Sequence, residues 1–258
     1  MIRIASIDNL SARTYRLCAP AFDHSLRFET PAKVHALLAA GHCDAALVPV
    51  AALPGLGHAV EPAGDFGIAC TGAVRSVQLF SSAPLGSLLA AGVPVYATPK
   101  SRTSVALLEL LCLRRFGVAP RLTSVYGDGA AHLLIGDAAF ECAQRQGGNP
   151  NNVDLGAWWL SETGLPFVYA RWVVSRGLDE SHKARVSGWL ESCANAAASD
   201  AGKNALADGL AMAPEDRLAL QVYYRRLRAH LSVTDIAGQS HFLQLLEGYA
   251  NVHAAPVA

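Results

Sequence analysis

The run Leu165–Val174, LPFVYARWVV, constrains the fold most. Its aromatic and β-branched residues suit a strand buried on one or both faces. It is entered through Thr163-Gly164-Leu165-Pro166, and that glycine and proline suit a turn where backbone approaches a ligand closely. Two other segments have the same character, GAVRSVQLFSS (Gly72–Ser82) and HLLIGDAAF (His132–Phe140). Each is an apolar strand with small or hydroxylated residues at its end. The repetition predicts one cleft built from strand ends.

Further short strands are expected at Ile2–Ser6, Leu26–Glu29, Asp44–Pro49, Val74–Phe80, Val93–Ala97, Leu122–Tyr126 and His132–Ile135. Helices alternate with them. Pro31–Ala40 starts with proline in its first turn and ends before Gly41, and Ser101–Phe116 has Ser and Thr at its start and stops at Gly117. From Glu180 the pattern is helical, over Glu180–Ser199, Ala213–Leu231 and Thr234–Tyr249. Such alternation predicts α/β lobes with parallel or mixed sheets. The middle of the chain carries its own strands and helices before the helical finish. The expected organisation is therefore two lobes, residues 1–94 with 175–258 and residues 95–174 inserted between them. A ligand would lie between the lobes near strand carboxyl ends. The crossings are expected near Val93–Pro99 and Trp172–Arg176, with turns at Asp128 and at Gly147–Asn152.

Composition removes several classes of function. Hydrophobic residues make up 52% of the 258, enough for a large core, while charged residues are only 16% and the formal net charge is zero. That balance speaks against nucleic acid or an anionic membrane as partner, so any anion must be met by local donors. The six cysteines (Cys18, Cys43, Cys70, Cys112, Cys142, Cys193) form no C-x-x-C pair and no zinc spacing, which predicts buried thiols in a reducing compartment. MIRIASIDN reads as a strand and a turn without the apolar core of a secretory signal, and no apolar run approaches the roughly 20 residues of a membrane helix. A cytoplasmic location is expected. The sequence carries no signal for an oligomeric state.

Candidate chemistry is sparse. Ser101-Arg102-Thr103-Ser104 opens a helix, where unpaired N–H groups, the dipole and adjacent hydroxyls suit a carboxylate or phosphate, although plain capping explains the same residues. Ser76 lies in a strand with no G-x-S-x-G elbow around it, so a hydrolase triad is not supported. Asn9 reads as a turn residue after the first strand, with Asp8 beside it as a base or a cap. Asp137 is expected to cap the helix after Gly136, a glycine that lets a ligand near the backbone. His132 lies near this cleft-like segment, and a lone histidine is more often a packed residue. H-E-x-x-H, P-loop and G-x-G-x-x-G patterns are all missing, so neither a metal nor a nucleotide is expected.

Taken in order, the pieces resemble the chorismate dehydratase family of the futalosine route to menaquinone. They are Ser6–Asn9 (SIDN), Gly72–Ser81 (G-x-V-x-S-V-x-L-F-S), Ser101–Leu108 (S-x-T-S-V-x-L-L), Leu133–Ala139 (LLIGDAA), and Asp154–Trp159 (D-L-G-x-x-W) running into TGLPFVYA-x-W-V. The resemblance implies a two-lobed α/β fold like type II periplasmic binding proteins, with a cleft between the lobes, used as a cytoplasmic enzyme without cofactor. It implies loss of water from chorismate to give 3-[(1-carboxyvinyl)oxy]benzoate. By the same resemblance, Asn9 and Ser76 stand at the reacting centre, Ser101, Thr103 and Ser104 hold a carboxylate, and Gly136, Asp137, Leu165 and Pro166 line the cleft. The chain departs from the family pattern in two places. Asp8 and Leu10-Ser11-Ala12 flank Asn9 where the pattern has an apolar residue and a proline, and Ala157-Trp158 replace two acidic residues. Those departures keep open a non-catalytic binder of small anions, or an enzyme of altered substrate on the same fold. The sibling enzyme that makes 1,4-dihydroxy-6-naphthoate has an N-terminal S-P-C-P-N-D-T-F pattern that this chain lacks.

Overall fold

A computed structural model describes the chain except residues 99–100, 127–129, 147, 209–213 and 254–258. The turn expected at Asp128, Gly147 in the polar loop and Pro99 at the first crossing lie outside the described residues. The chain forms two compact units, Met1–Cys70 with Val168–Val233, and Thr71–Phe167 with the segment from Thr234 onward.

In chain order, the first unit starts with β1 (Ile2–Ile7), β2 (His24–Glu29), α1 (Pro31–Ala39), β3 (Ala45–Pro49) and β4 (Val60–Cys70). The second unit follows with β5 (Val77–Ser81), α2 (Leu85–Ala90), β6 (Val95–Ala97), α3 (Arg102–Phe116) and β7 (Leu122–Thr123). It continues through β8 (Ala131–Ile135), α4 (Gly136–Arg145), β9 (Val153–Asp154) and α5 (Leu155–Thr163). The first unit resumes with β10 (Phe167–Ser175), α6 (Glu180–Ala198), α7 (Asp200–Asp208), α8 (Pro214–Arg226) and β11 (Leu227–His230). Helix α9 (Val233–His253) ends the described chain.

The first unit is built on a six-stranded sheet of order β11-β4-β10-β3-β1-β2. Strand β1 runs parallel to β2 and β3, and β10 runs antiparallel to β3. Every residue of β3 is buried, as a central strand covered on both faces requires. Tyr15, Trp172 and Trp189 continue the core as edge-to-face pairs with ring centroids 5.2 and 5.4 Å apart. Strands β4 and β10 approach closely at Gly67, where a Cβ would stand 2.4 Å from the Ala170 carbonyl oxygen, so only glycine fits. Asp44, just before β3, ties that strand to β1. Its carboxylate accepts from the Arg3 backbone N–H at 2.8 Å and from the guanidinium at 3.1 and 2.6 Å. Burial pushes the Asp44 carboxyl up, but the Arg3 bonds outweigh it and hold the group below the usual carboxylate range.

The second unit has a five-stranded sheet of order β7-β6-β8-β5-β9. Strand β6 is parallel to β7 and β8, and β5 is antiparallel to β8 and β9. Its core includes Leu79, Leu107, Leu133, Phe140 and Trp159, all nearly free of solvent contact. Phe167 packs edge-on against both Trp159 and Phe242 of α9, at 5.3 and 5.0 Å.

The division differs from the expected insertion of residues 95–174. Residues 71–94 belong to the second unit because β5 is hydrogen-bonded between β8 and β9. The segment from Thr234 joins them because α9 covers Trp159 and Phe167. Conversely, β10 from Val168 belongs to the first unit, where it pairs with β3. The expected helix Ala213–Leu231 stops at Arg226, and Leu227–His230 instead forms an edge strand on β4. All six cysteines are free thiols, and burial pushes Cys43 up to about 11 and Cys112 and Cys193 up to about 12. Among the described residues, no helix is long and apolar enough to cross a membrane, and no group of His, Cys, Asp and Glu is arranged to hold a metal.

Candidate functional site

The second unit gathers most of the expected site residues at one edge of its sheet. The registers Ala97↔Leu133, Val77↔Ile135 and Gln78↔Asp154 place the carboxyl ends of β6, β8 and β9 beside the amino end of β5. Ser76 immediately precedes β5 and is buried, and its carbonyl accepts from the Gly136 N–H at 2.7 Å. Helices α4 and α5 begin at this edge, and α3 begins a short connection after β6. Helix amino termini present N–H donors and the positive end of the dipole, which favour an anion.

The three helix starts are finished differently. At α3 the Ser101 hydroxyl donates to the Ser104 hydroxyl at 2.8 Å and accepts from the Ser104 N–H at 3.1 Å. Thr98, Ser101, Thr103 and Ser104 are all buried there, so this start is a cluster of neutral hydroxyls. At α4 no side chain caps the first turn. Asp137 sits inside that turn rather than before it, which corrects the expectation that it is the cap. At α5 the start is closed by the chain's own carboxylate. Asp154 Oδ1 accepts from Gly156 N at 3.0 Å, from Ala157 N at 3.1 Å and from Val74 N at 3.1 Å, while Oδ2 accepts from Arg75 N at 2.6 Å. Burial pushes the Asp154 carboxyl up, against the downward pull of those four N–H donors. This clamp was not visible as such in the sequence, because its two halves lie 80 residues apart.

The remaining expected residues lie elsewhere. Leu165 and Pro166 follow the other end of α5. The Pro166 carbonyl accepts from Trp159 Nε1 at 3.1 Å, and a Cβ on Gly238 would stand 2.1 Å from its oxygen, so α9 packs directly on this segment. Leu165 N donates to Thr163 Oγ1 at 3.1 Å. Asn9 belongs to the first unit and follows β1. Its Oδ1 accepts from Ser11 Oγ at 2.9 Å and from Ala12 N at 3.0 Å, which fixes the amide over the start of the 3-10 turn Ser11–Arg16. Asp8 is exposed and paired with Arg16 at 2.5 Å, so it is tied up in a surface ion pair. His132 stacks at a tilt against Tyr126 and Tyr96, with centroids 4.8 and 5.8 Å away.

A sequence profile of the family described as menaquinone biosynthesis matches residues 4–248, nearly the whole chain. The chain belongs to the menaquinone biosynthesis family. Its relatives in sequence include a protein of Thermus thermophilus named chorismate dehydratase, 36% identical over a stretch covering 43% of this chain and 47% of that one. The match therefore spans about half of that relative's length. The chain also shares its fold with protein AF1704 of Archaeoglobus fulgidus, at a TM-score of 0.69 and 12% identity, covering 97% of this chain and 98% of that chain. The periplasmic aliphatic sulphonate binding protein SsuA of Escherichia coli matches at a TM-score of 0.65 and 15% identity, over 99% and 93% of the two chains. A Candida albicans protein described as having the generic periplasmic binding protein fold matches at 0.62 and 10%, over 96% and 90%. The fold is that of the periplasmic binding proteins, as the sequence led us to expect.

Proposed function

We propose that the chain is a chorismate dehydratase, a hydro-lyase that converts chorismate into 3-[(1-carboxyvinyl)oxy]benzoate in menaquinone biosynthesis. The observation that carries this reading is the sheet edge of the second unit. Buried hydroxyls at α3 and an uncapped start at α4 offer neutral donors to a carboxylate, in a chain whose family is menaquinone biosynthesis. The partial match to a relative named chorismate dehydratase supports chorismate as the substrate.

Chorismate is a dianion carrying an allylic ring hydroxyl and a vicinal ring hydrogen. Breaking the C–O and C–H bonds releases water and makes an aromatic ring, so the driving force lies in the substrate and no redox equivalent is consumed. The protein has to orient both carboxylates, exclude water and stabilise the departing hydroxyl. Serine and asparagine do this by hydrogen bonding, and they are poor bases at neutral pH. The substrate's enolpyruvyl carboxylate is the proton acceptor in this scheme. Asn9 and Ser76 serve the leaving hydroxyl and the ether side chain. Ser101, Thr103 and Ser104 hold a carboxylate, and Gly136 and Asp137 line the site at that edge, with Leu165 and Pro166 as its border beyond the far end of α5 in this reading. A cytoplasmic location goes with this reading, as for other biosynthetic enzymes that act on a small soluble anion.

The test follows loss of the chorismate diene absorbance with purified protein and identifies the product by mass. A product lighter by one water is expected, and Ser76→Ala should slow its formation by about 100-fold. Binding of chorismate without turnover would replace the enzyme by a binding protein on the same fold.

A further inference from the structure

Arg75 stands out in the second unit. It is the only non-glycine residue with positive φ among the described residues, at +66°. An L residue pays for that conformation and a glycine does not. Its peptide is pinned on both sides. The N–H donates to Asp154 Oδ2 at 2.6 Å, and the carbonyl accepts from Gln78 Nε2 at 3.2 Å. These backbone contacts would be met equally well by glycine, so they account for the turn and leave the side chain unexplained.

The side chain also stays out of the ion pairs that hold other arginines in the fold. Arg3 pairs with Asp44 and Arg171 with Asp65, whereas the Arg75 guanidinium has no ion pair or hydrogen bond among the described residues. The carboxylate beside it, Asp154, is turned to the backbone N–H groups and is saturated by four of them. Arg75 is half-buried and directly precedes buried Ser76. Its position just before β5 brings a cation to the edge where α3, α4 and α5 begin, where Arg102 of α3 is exposed and the buried donors are neutral hydroxyls and helix N–H groups. Neutral donors orient a dianion but leave its charge uncompensated, and a guanidinium supplies that charge with two parallel N–H donors.

We propose that Arg75 binds a carboxylate of the substrate through its guanidinium. The assignment rests on the dehydratase reading above. Arg75→Gly tests it, because glycine accepts the +66° backbone without strain and keeps both pinning bonds. The thermal midpoint of Arg75→Gly should stay level or rise, while KM for chorismate rises by about 10- to 100-fold and kcat changes far less. Arg75→Lys should recover part of the affinity, and millimolar guanidinium ion should restore part of it to Arg75→Gly. If the wild type turns chorismate over and Arg75→Gly keeps its KM within about twofold, Arg75 is not a substrate ligand and the dehydratase reading stands. If the wild type neither binds nor converts chorismate, both fall together. Loss of binding accompanied by a lowered thermal midpoint in both variants would also overturn the proposal, since the residue would then act through the fold.

Discussion

Each unit contains a carboxylate that ties two distant stretches of backbone together, and the two are satisfied in opposite ways. Asp44 closes β1 onto the start of β3 with an arginine, using the Arg3 guanidinium as well as its N–H. Asp154 closes the segment before β5 onto the start of α5 with four backbone N–H groups. The first is an ion pair that neutralises itself. The second does its work without a cation, although Arg75 is one of its partners. The second unit thus holds this turn with backbone N–H groups rather than with a charge, and the Arg75 guanidinium stays available for something else.

Truncating either carboxylate separates the two kinds of clamp. Asp154→Ala leaves Val74, Arg75, Gly156 and Ala157 without their acceptor and removes a helix cap, and it should cost about 2 kcal/mol in urea unfolding. It should also lower activity, because the segment leading to Ser76 is released. Asp44→Ala should cost less, about 1 kcal/mol, since solvent screens much of that pair. A larger loss for Asp44→Ala than for Asp154→Ala would show that charge, rather than the number of bonds, sets the strength of these clamps.

The smallest expected effect is a difference in pH response. The Asp44 carboxyl is held low in the folded protein. Its contribution is therefore present above the unfolded value near 3.9 and is lost as pH falls through the folded value. Asp154 is pushed up. Its contribution is full below about 3.9 and declines as pH rises through the raised folded value. Urea midpoints of wild type, Asp44→Asn and Asp154→Asn between about pH 2.5 and pH 6 should thus diverge from wild type in opposite directions. Parallel curves would show that the two groups titrate alike.

The elements that were legible in the sequence are those with uniform local chemistry. Strand β3 is an apolar run, α3 starts at Ser101 and stops at Gly117, and β10 is the aromatic run that first indicated a sheet. Strand β4 was missed because it contains Pro62, Gly64, Asp65 and Gly67, residues that strands usually avoid. Only its neighbours explain them: Gly67 meets the Ala170 carbonyl, and Asp65 pairs with Arg171. Helix α5 was hidden by its glycine and paired tryptophans, although Asp154 caps it and Gly164 ends it. At the candidate site the hydroxyls of Ser101 to Ser104 could be read as a helix start. The clamp of Asp154 could not, because its function depends on Val74 and Arg75 being brought to it by strand pairing. The conformation of Arg75 has no signature in the sequence at all.

The position of β10 has a consequence for how the molecule comes into being. This strand lies between β3 and β4 in the first sheet, yet it is made only after the whole of β5 to α5. During synthesis the two earlier strands must therefore wait for a partner that leaves the ribosome about 100 residues later, and non-local pairing of this kind slows folding. Strands β5 to β9, by contrast, emerge as one uninterrupted stretch that can pair while the older part of the chain is still incomplete. Strands β1, β2 and β3 can pair early, but β3 and β4 keep an unpaired edge until β10 arrives, and such edges invite pairing with other chains in that interval.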